Sequence, residues 1–553
     1  MKKIILIISL VFIPLLSFAQ SEYVSADNPV YNFLERMETL KIISNYNSFQ
    51  IPKTRNEISR FIEEVIDNQN KLDEIDKKIL DDFKIEFEFE LNGSLLQSQS
   101  IIGKGEYNPI SQKQKYLFSY TDPEKMNLFI NLLGEGQLLS LNDRENKLNQ
   151  SAALGIIGGK VRGTVLDKIG FEIYGTNGIL KGNKNAALIR NDLKYNYKLN
   201  QTDTSKFFDE SYGYLDADFN IVKLKIGRDR MNIGYGPVKP ILDNNAPLFD
   251  YLGFNIDYKF FNFSYFHGKL LGPESIISDP VTGTTAKIEE KYFGYHRIGF
   301  DISDDFDFGV GEMIIYADRP IDLSYLNPFN FYKSAEHSNR DRDNSLLFID
   351  AKNNSLKGLK IYSMLLIDDI TFSKLGTGWY GNETLFQLGV NSENLYGILP
   401  LTIQMEYLKV DPYVFTHRLI KNNYTNFGYK LGSFLDPNSE LFYSGFNYRI
   451  NYRLNLSFSI SYVIHGANPK NPDGSVKQNV GGDIALGHRK TDSITAHLLD
   501  GDLEYLRRYS ISLTYQPFKS IFFIVNSSYI HNSLQGSLLE KKFESFVTLK
   551  AQF

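Results

Sequence analysis

The chain has 553 residues and a nearly balanced formal charge of −5, so it lacks the basic footprint of a nucleic-acid-binding protein. It contains no cysteine, which excludes thiol catalysis, zinc–thiolate sites and a cysteine-linked lipid anchor. Tyrosine and phenylalanine are abundant, at 35 and 41 residues against 18 prolines. Such an excess is typical of the aromatic belts of a membrane β-barrel, and also of any large β-protein.

The first residues predict an export signal. Met1-Lys2-Lys3 is a basic start, residues 4–16 are apolar, and Ser17-Phe18-Ala19 places small residues before a cleavage site. This is the pattern of a secretory signal peptide over residues 1–19, with cleavage after Ala19 or Gln20. No later apolar run approaches the ~18–20 residues that a spanning helix needs. The exported protein is therefore expected to be periplasmic, secreted or a barrel.

Residues 28–91 predict a helical segment. After the start at Asn28-Pro29, Phe33 and Met37 belong to one apolar helical stripe, and Thr54-Arg55-Asn56-Glu57 is a capping box before a second stripe. Residues 83–91 also alternate like a strand, but a four-residue apolar spacing that continues back to Ile75 favours a third helix. Helices this short must pack on each other or on the following chain. The segment is either a small stabilising cap or a periplasmic dock or plug.

From residue 94 to residue 553, alternation with a period of two replaces the helical pattern. The clearest runs cover residues 399–407, 452–462 and 509–516, each with an apolar face opposite a polar one. We expect the polar face to line a wet lumen and the apolar face, often ending in Tyr or Phe, to meet lipid. A soluble sandwich would alternate too, so alternation alone leaves both folds open. The Gly- and Asn-rich stretches 175–185 and 466–487 are candidate extracellular loops.

The last strand favours the barrel. Phe543, Leu549 and Phe553 point to one side of it, whereas Phe546 breaks the pattern. A C-terminal aromatic residue resembles the insertion signal of outer-membrane β-barrels, so we expect Phe553 to engage the barrel-insertion machinery. A body of about 460 residues, at about 25 residues per strand with its connections, gives roughly 18 strands. The predicted fold is an all-β transmembrane outer-membrane β-barrel of about 18 antiparallel strands over residues 94–553, with a small N-terminal α-helical periplasmic segment.

Three stretches interrupt the alternation with dense polar, Gly and Pro content. The first contains Gly227-Arg228, Gly234-Tyr235-Gly236 and Asn244-Asn245-Ala246-Pro247. The second contains Tyr325-Leu326-Asn327-Pro328 with Asp343-Asn344, and the third covers residues 411–439. In this order, after a short helical segment, these motifs resemble the Wzi-type capsule assembly family. The resemblance covers residues 28–553, and Ile233 stands where a Trp is common in the family.

The resemblance implies an outer-membrane barrel of about eighteen strands with a helical periplasmic part. It also implies a lectin-like, non-enzymatic role in the attachment or assembly of capsular or other surface polysaccharide. The expected location is the bacterial cell outer membrane. The expected partners are surface polysaccharide, outer-membrane lipid and lipopolysaccharide, and the insertion machinery, without nucleic acid. The alternative function is an outer-membrane porin or a substrate-specific channel.

Two interpretations remain open for the residues of the interrupting stretches. Charges inside a barrel are tolerated when they are paired or wet, so the first interpretation is a polar network across the lumen. Its members would be Arg228, Arg230, Glu336, Asp343, Asn344, Asp368 and Asp369. The second interpretation is a carbohydrate-binding groove, because sugars need polar pairs for their hydroxyls and aromatic faces for their CH surfaces. Its candidate residues are Trp379, Tyr380, Tyr413 and Tyr424.

The sequence gives little support for catalysis, a cofactor or a metal. The eight histidines are scattered, and no zincin, P-loop or nucleophile-elbow motif is present. Asp368-Asp369 and the acidic residues 301–305 could bind Ca²⁺, but acidic loops on barrels are usually just solvated. An outer-membrane phospholipase or protease is the remaining enzyme hypothesis. We therefore expect no enzymatic activity, no cofactor and no metal.

Overall fold

The computed structural model describes residues 20–103, 106–122, 126–200, 204–281, 283–394 and 399–553. The predicted signal peptide, residues 1–19, lies outside the described residues. No helix in these ranges is long and apolar enough to cross a membrane.

The N-terminal segment is helical and has its own apolar core. Its elements are α1 (Val30–Thr39), β1 (Gln50–Ile51), α2 (Arg55–Asp67), a 3₁₀ turn (Gln69–Lys71), α3 (Glu74–Glu86) and α4 (Glu88–Asn92). The predicted N-cap at Thr54 is confirmed, since its hydroxyl accepts the Glu57 N–H at 3.2 Å, whereas the Glu57 carboxylate binds Lys53 and Lys223 instead of closing the capping box. The run that also alternates like a strand is helical, because Phe83 and Phe87 are buried in the core shared with α1 and α2.

The remaining chain is mostly β-strand. The strands are β2 (Ser98–Ile102), β3 (Gln114–Asp122), β4 (Met126–Asp143), β5 (Leu148–Val165), β6 (Ile169–Gly182), β7 (Phe207–Asp218), β8 (Val222–Arg228), β9 (Asn232–Ile233), β10 (Asp250–Tyr258), β11 (Phe261–Asp279), β12 (Gly283–Ser303), β13 (Phe306–Ala317), β14 (Asn344–Asn353), β15 (Leu359–Asp369), β16 (Glu383–Glu393), β17 (Leu401–Val410), β18 (Thr425–Asn426), β19 (Tyr429–Lys430), β20 (Ser439–Asn451), β21 (Leu454–Ala467), β22 (Asp502–Phe518), β23 (Ile521–Leu534) and β24 (Ser537–Gln552). The connections contain α5 (Lys184–Ala187), α6 (Asn191–Lys194), α7 (Tyr197–Asn200), α8 (Leu323–Leu326) and α9 (Tyr332–Ser338), with 3₁₀ turns at Phe372–Lys374 and Ile420–Asn422.

An 18-stranded antiparallel barrel is formed by β4–β8, β10–β17 and β20–β24, as predicted. It closes where β24 pairs with β4. Phe553 completes this seam, because its N–H donates to the Leu132 carbonyl at 2.9 Å and its carbonyl accepts the Leu132 N–H at 2.6 Å. β3 continues along the same edge of β4 beyond the chain terminus, and β2 pairs with β3 in parallel.

The two ends of the barrel differ in the length of their connections. Short turns lie at one end, at residues 166–168, 219–221, 259–260, 304–305, 452–453 and 519–520. Long loops lie at the other, at residues 183–206, 229–249, 318–343, 370–382, 411–438 and 468–501. In outer-membrane barrels the short turns face the periplasm and the long loops face the exterior. The predicted loop over 466–487 is therefore extracellular, but the one over 175–185 is wrong for residues 175–182, which belong to β6.

The lumen is filled on one side by an apolar core. On β15, Ile361 and Leu365 are exposed outside, whereas Tyr362, Met364 and Leu366 are buried inside. The inward faces of β10–β17 pack against Phe49 of the N-terminal segment and against loops 229–249 and 411–438, which fold into the barrel. The expectation of a polar lumen face is wrong where this apolar core lies, because strands covered on both faces need apolar residues on both. The expectation holds on β17, where Thr402, Gln404 and Glu406 point inward.

Candidate functional site

Two extracellular loops, 370–382 and 468–501, are joined by backbone hydrogen bonds. The Tyr380 N–H donates to the Ile494 carbonyl at 3.2 Å, and the Ala496 N–H donates to the Gly378 carbonyl at 2.8 Å. Trp379 and Thr495 face each other as an antiparallel bridge. A loop with paired backbone is held in one shape, so side chains at this junction have defined positions.

An aromatic platform stands on this junction and consists of Trp379, Tyr380 and His488, with Tyr413 beneath. The rings of Tyr380 and His488 are parallel, with centroids 3.5 Å apart and an interplanar angle of 8°. Trp379 lies 4.6 Å from Tyr380 at 44°. Tyr413 contacts both stacked rings edge-on, at 5.9 Å and 5.4 Å. The three upper rings are half-buried, so they combine fixed geometry with access from outside.

Polar groups flank the platform. Arg489 holds Asp492 through its Nη2 at 2.8 Å, and Asn479 donates to the same carboxylate at 2.7 Å. Burial opposes ionisation of Asp492, but the hydrogen bonds from Arg489 outweigh it and hold the pKa of this carboxyl below its ordinary value. The Lys374 ammonium lies 5.0 Å from the Trp379 ring centre. Planar rings bordered by charged hydrogen-bonding groups suit a ligand with both CH faces and hydroxyls.

The structure separates the four predicted aromatic residues. Trp379 and Tyr380 lie together on the platform, whereas Tyr413 is buried and supports it through a bond from its hydroxyl to the Asn479 carbonyl at 3.1 Å. Tyr424 does not belong to the site. It is 1% exposed in the lumen core, and its hydroxyl donates to the Ile241 carbonyl at 2.9 Å. Its aromatic neighbours and buried hydroxyl leave no open face for a sugar.

Sequence reasoning missed His488. The signal that points to it is its position directly after the Gly-rich stretch 466–487, which the sequence marks as a candidate extracellular loop. Its Nε2 lies 3.0 Å from the Ser493 carbonyl, so this nitrogen donates and the imidazole is fixed in the plane that stacks on Tyr380.

The predicted network across the lumen is wrong for Arg228 and Asp369. Arg228 shares the outward face of β8 with Leu224 and Ile226, and it forms a bidentate pair with Asp250 at 2.8 and 2.9 Å. Asp369 is exposed at the end of β15. The period of two decides these positions, since a one-residue step moves a side chain from the lumen to the outer wall.

Glu336 and Asp343 also lie outside the lumen. They belong to loop 318–343, which folds over the outer wall of the barrel and is called the outer flap below. Asp343 accepts both Arg319 guanidinium donors at 2.7 and 2.6 Å, and Glu336 accepts the Ser345 hydroxyl. These contacts stabilise the flap rather than cross the barrel.

The other predicted network residues point inward but do not form one network. Arg230 pairs with Glu210 and donates to the Asn244 carbonyl at 2.6 Å. Asn344 donates to the Thr416 carbonyl at 3.1 Å, and Asp368 accepts the Phe415 N–H at 2.5 Å. These side chains bind the backbone of loops that fold inward, so they position the filling of the lumen.

The N-terminal segment docks to the barrel through ion pairs, most of which join a cation of the wall to a carboxylate of the segment, whereas Lys41 of the segment pairs with Asp305 of the barrel. The pairs with a wall cation are Arg162–Glu22 at 2.7 Å, Lys223–Glu57 at 2.8 Å, Lys352–Glu38 at 2.6 Å, Lys360–Glu35, Arg453–Asp82 at 3.0 Å and Lys519–Glu86 at 4.0 Å. The segment thus covers the periplasmic mouth of the barrel. This docked segment is called the plug below.

A cavity of about 1210 Å³ remains between the plug and the part of the barrel wall that the apolar core leaves uncovered, called the polar arc. Its lining includes Tyr174, Arg190, Gln404, Asn447 and Asn526. On this arc the expected polar lumen face is present. Across the described residues, no group of three or more His, Asp or Glu side chains is arranged to hold a metal ion.

Comparison with known proteins gives one family. The model of the family described as capsule assembly protein Wzi matches residues 170–528. The solved structure of Wzi from Escherichia coli, an outer-membrane protein involved in group 1 capsule assembly and a carbohydrate-binding β-barrel, is similar with a TM-score of 0.55 and 12% identity, covering 96% of this chain and 100% of that chain. OccK8 (OprE) from Pseudomonas aeruginosa has a TM-score of 0.45 and 12% identity, covering 77% of this chain and 98% of its own. No curated protein matches.

Proposed function

Because the chain belongs to the capsule assembly protein Wzi family, we propose that it is a non-enzymatic outer-membrane protein that binds and attaches capsular or other surface polysaccharide. The observation that carries this proposal is the aromatic platform on the extracellular loops. Its stacked Tyr380 and His488 rings, beside Trp379, offer flat apolar surfaces next to the Arg489–Asp492 pair. This combination of surfaces matches the chemistry of a sugar chain.

The partly filled lumen and its covered periplasmic mouth support a platform rather than a channel. The apolar core occupies the side lined by β10–β17, and the plug covers the periplasmic mouth through buried ion pairs. A porin or substrate-specific channel, the alternative function, requires a continuous path. The intact protein should therefore show no steady single-channel current in a planar bilayer, and steady current would favour the channel.

We also propose that the C-terminal residue engages the barrel-insertion machinery. Phe553 pairs with Leu132 at the seam, so the terminal aromatic residue is at the periplasmic end, where it would meet the insertion machinery during assembly. We likewise propose three parts of the chain: the export signal over residues 1–19, the plug over residues 28–91 and the barrel body over residues 94–553.

The first experiment measures polysaccharide on cells that lack the protein. If the polymer is unchanged in total amount but moves from the cell surface to the medium, attachment is supported. An unchanged partition would contradict the proposal.

Platform variants sharpen the test. Tyr380→Ala and His488→Ala should shed polymer as the deletion does, because each removes one ring of the stack. Tyr197→Ala is the matched control, since Tyr197 is an exposed aromatic residue on a different extracellular loop. Trp379 is the single tryptophan of the chain, so its fluorescence reports binding of purified polysaccharide directly. We expect Tyr380→Ala to weaken that binding at least ~10-fold, about 1.4 kcal/mol.

A further inference from the structure

The outer flap, residues 318–343, covers a wall that would otherwise face lipid. On β13, Met313 and Ile315 point into the lumen core, so Glu312, Ile314 and Tyr316 point outward. The outward Ile314 and Tyr316 are nevertheless buried, in a second apolar cluster formed with residues of the flap. The flap therefore lies against the outside of β11–β13.

The covered wall contains polar groups that bare lipid could not accommodate. Glu312 is 4% exposed, and its Oε2 accepts the Tyr332 N–H of the flap at 2.9 Å and lies 3.1 Å from His296 Nε2. His267 Nε2 lies 2.8 Å from the Tyr316 hydroxyl. An ionisable group on the lipid face of a barrel costs several kcal/mol unless it is paired, and here the flap supplies part of the pairing.

Aromatic contacts seat the flap. The Tyr332 ring lies 4.4 Å from the His296 ring at a tilt of 34°, and Phe329 stacks on Phe263 at 5.4 Å with an interplanar angle of 14°. Gly294 lies beside Tyr332 and leaves room for Ile314, since a Cβ at this position would lie 2.8 Å from Ile314 Cγ2. The flap is thus fixed to the wall over much of its length.

The depth of the flap follows from β11. Lys269 pairs with Glu290 at 3.3 Å on the outer wall and marks the charged extracellular rim. Phe263 is six residues below Lys269 (269 − 263), about 20 Å along a strand at ~3.3 Å per residue. A strand tilt of ~35–45° reduces this to a depth of about 15 Å, within an apolar belt about 25 Å tall. Phe329, stacked on Phe263, therefore reaches the level of the acyl chains.

Much of the flap backbone, but not the N–H groups of Ile321, Leu323 and Phe331, donates to acceptors within the described residues of the protein. Its N–H groups donate to acceptors within the protein at Asp322, Ser324, Tyr325, Leu326, Asn327, Phe329, Asn330, Tyr332 and Ala335. Pro320 and Pro328 have no N–H to satisfy. Hydrocarbon cannot hydrogen-bond a backbone group, so these internal bonds lower the cost of placing the loop at this depth.

The exposed surface of the flap includes three large apolar side chains beside the polar Asn327, and its stem carries two arginines on either side of Asp341. Leu323 and Phe329 are each 77% exposed and Phe331 is 55% exposed. Arg340 and Arg342 are exposed where the flap returns to β14 at the extracellular rim. We propose that the outer flap is a docking surface for a phosphorylated glycolipid of the outer leaflet. Its acyl chains lie against Leu323, Phe329 and Phe331, and its phosphates bind Arg340 and Arg342.

Tryptophan quenching tests the acyl contact. Phe329→Trp is made in a Trp379→Phe background, and the full-length protein is reconstituted into vesicles of acyl-brominated phosphatidylcholine. We expect quenching as strong as that of Ile226→Trp in the same background, because Ile226 is an exposed outward residue of the belt. Native Trp379, on an extracellular loop, should stay unquenched. A tryptophan at 329 that is unquenched like Trp379 would overturn the proposal.

A second position and a second measurement complete the test. If Phe329→Trp does not give a folded, heat-modifiable barrel, Leu323→Trp takes its place. Lipid A is then titrated into the detergent-solubilised protein, and its binding is compared between the parent and Arg340→Gln/Arg342→Gln. The double variant should bind lipid A at least ~10-fold more weakly, and equal binding would overturn the assignment to a phosphorylated glycolipid.

Discussion

The plug is held by buried ion pairs, and Lys352 provides the sharpest test of them. Its Nζ lies 2.6 Å from Glu38 of α1 and 2.6 Å from Asp307 of the wall, and it also donates to the Tyr46 carbonyl at 2.8 Å. All three charged side chains are nearly inaccessible to solvent. Lys352→Met fills most of the same volume but leaves Glu38 and Asp307 buried without a cation.

Removal of one partner from a buried pair costs about 3–5 kcal/mol, because the remaining charge stays desolvated. Because about 1.4 kcal/mol corresponds to a factor of ten, the population of the open form of the plug should rise roughly 100- to 3,000-fold. Native-state hydrogen exchange of the α1 amides, Val30–Thr39, measures this population directly.

Two further variants control the test. Lys77 pairs with Glu74 at 2.7 Å on the exposed surface of the same segment, so Lys77→Met should change α1 exchange by less than ~1 kcal/mol. Glu38→Gln in the Lys352→Met background should restore part of the protection, because one buried charge is then removed. If Lys352→Met exchanges at α1 within threefold of the parent protein, the reasoning about the plug is refuted.

Three other predictions follow from the fold. Phe348→Ala in the lumen core should lower stability by about 3–5 kcal/mol in a heat-modifiability assay, and a loss under ~1 kcal/mol would contradict the packing of that core. Ile511→Lys on the mid-strand lipid face should cost about 2–4 kcal/mol in urea unfolding from vesicles, which a lumen-facing position would not. Burial raises the pKa of Glu57, but Lys223 and Lys53 outweigh it and hold this pKa well below its ordinary value. The contribution of Glu57 to docking is therefore present above its unfolded pKa of ~4.3 and is lost as the pH falls through its lower folded pKa. Hydrogen exchange of the α2 amides should rise only in strong acid. A rise near neutral pH would contradict the pairing.

The sequence by itself determined the elements whose causes are local. The capping box at Thr54 and Glu57 predicts the start of α2, and the structure contains its N-cap hydrogen bond. Alternation with a period of two, together with the terminal Phe553, predicts a closed antiparallel barrel, and β24 does pair with β4. The cap and the alternation depend on neighbours within one helical turn or one strand, which a single sequence displays.

The tertiary structure alone decided which side chains meet. Tyr424 and Tyr380 occupy similar Tyr- and Gly-rich stretches, yet one is sealed in the lumen core and the other stacks on His488. Glu336 resembles a lumen charge in sequence but lies on the outer flap. The local sequence of a long loop does not distinguish folding into the lumen from folding over the rim or down the outer wall. The choice is made by long-range packing and by the pairing of buried charges, which join residues from distant strands.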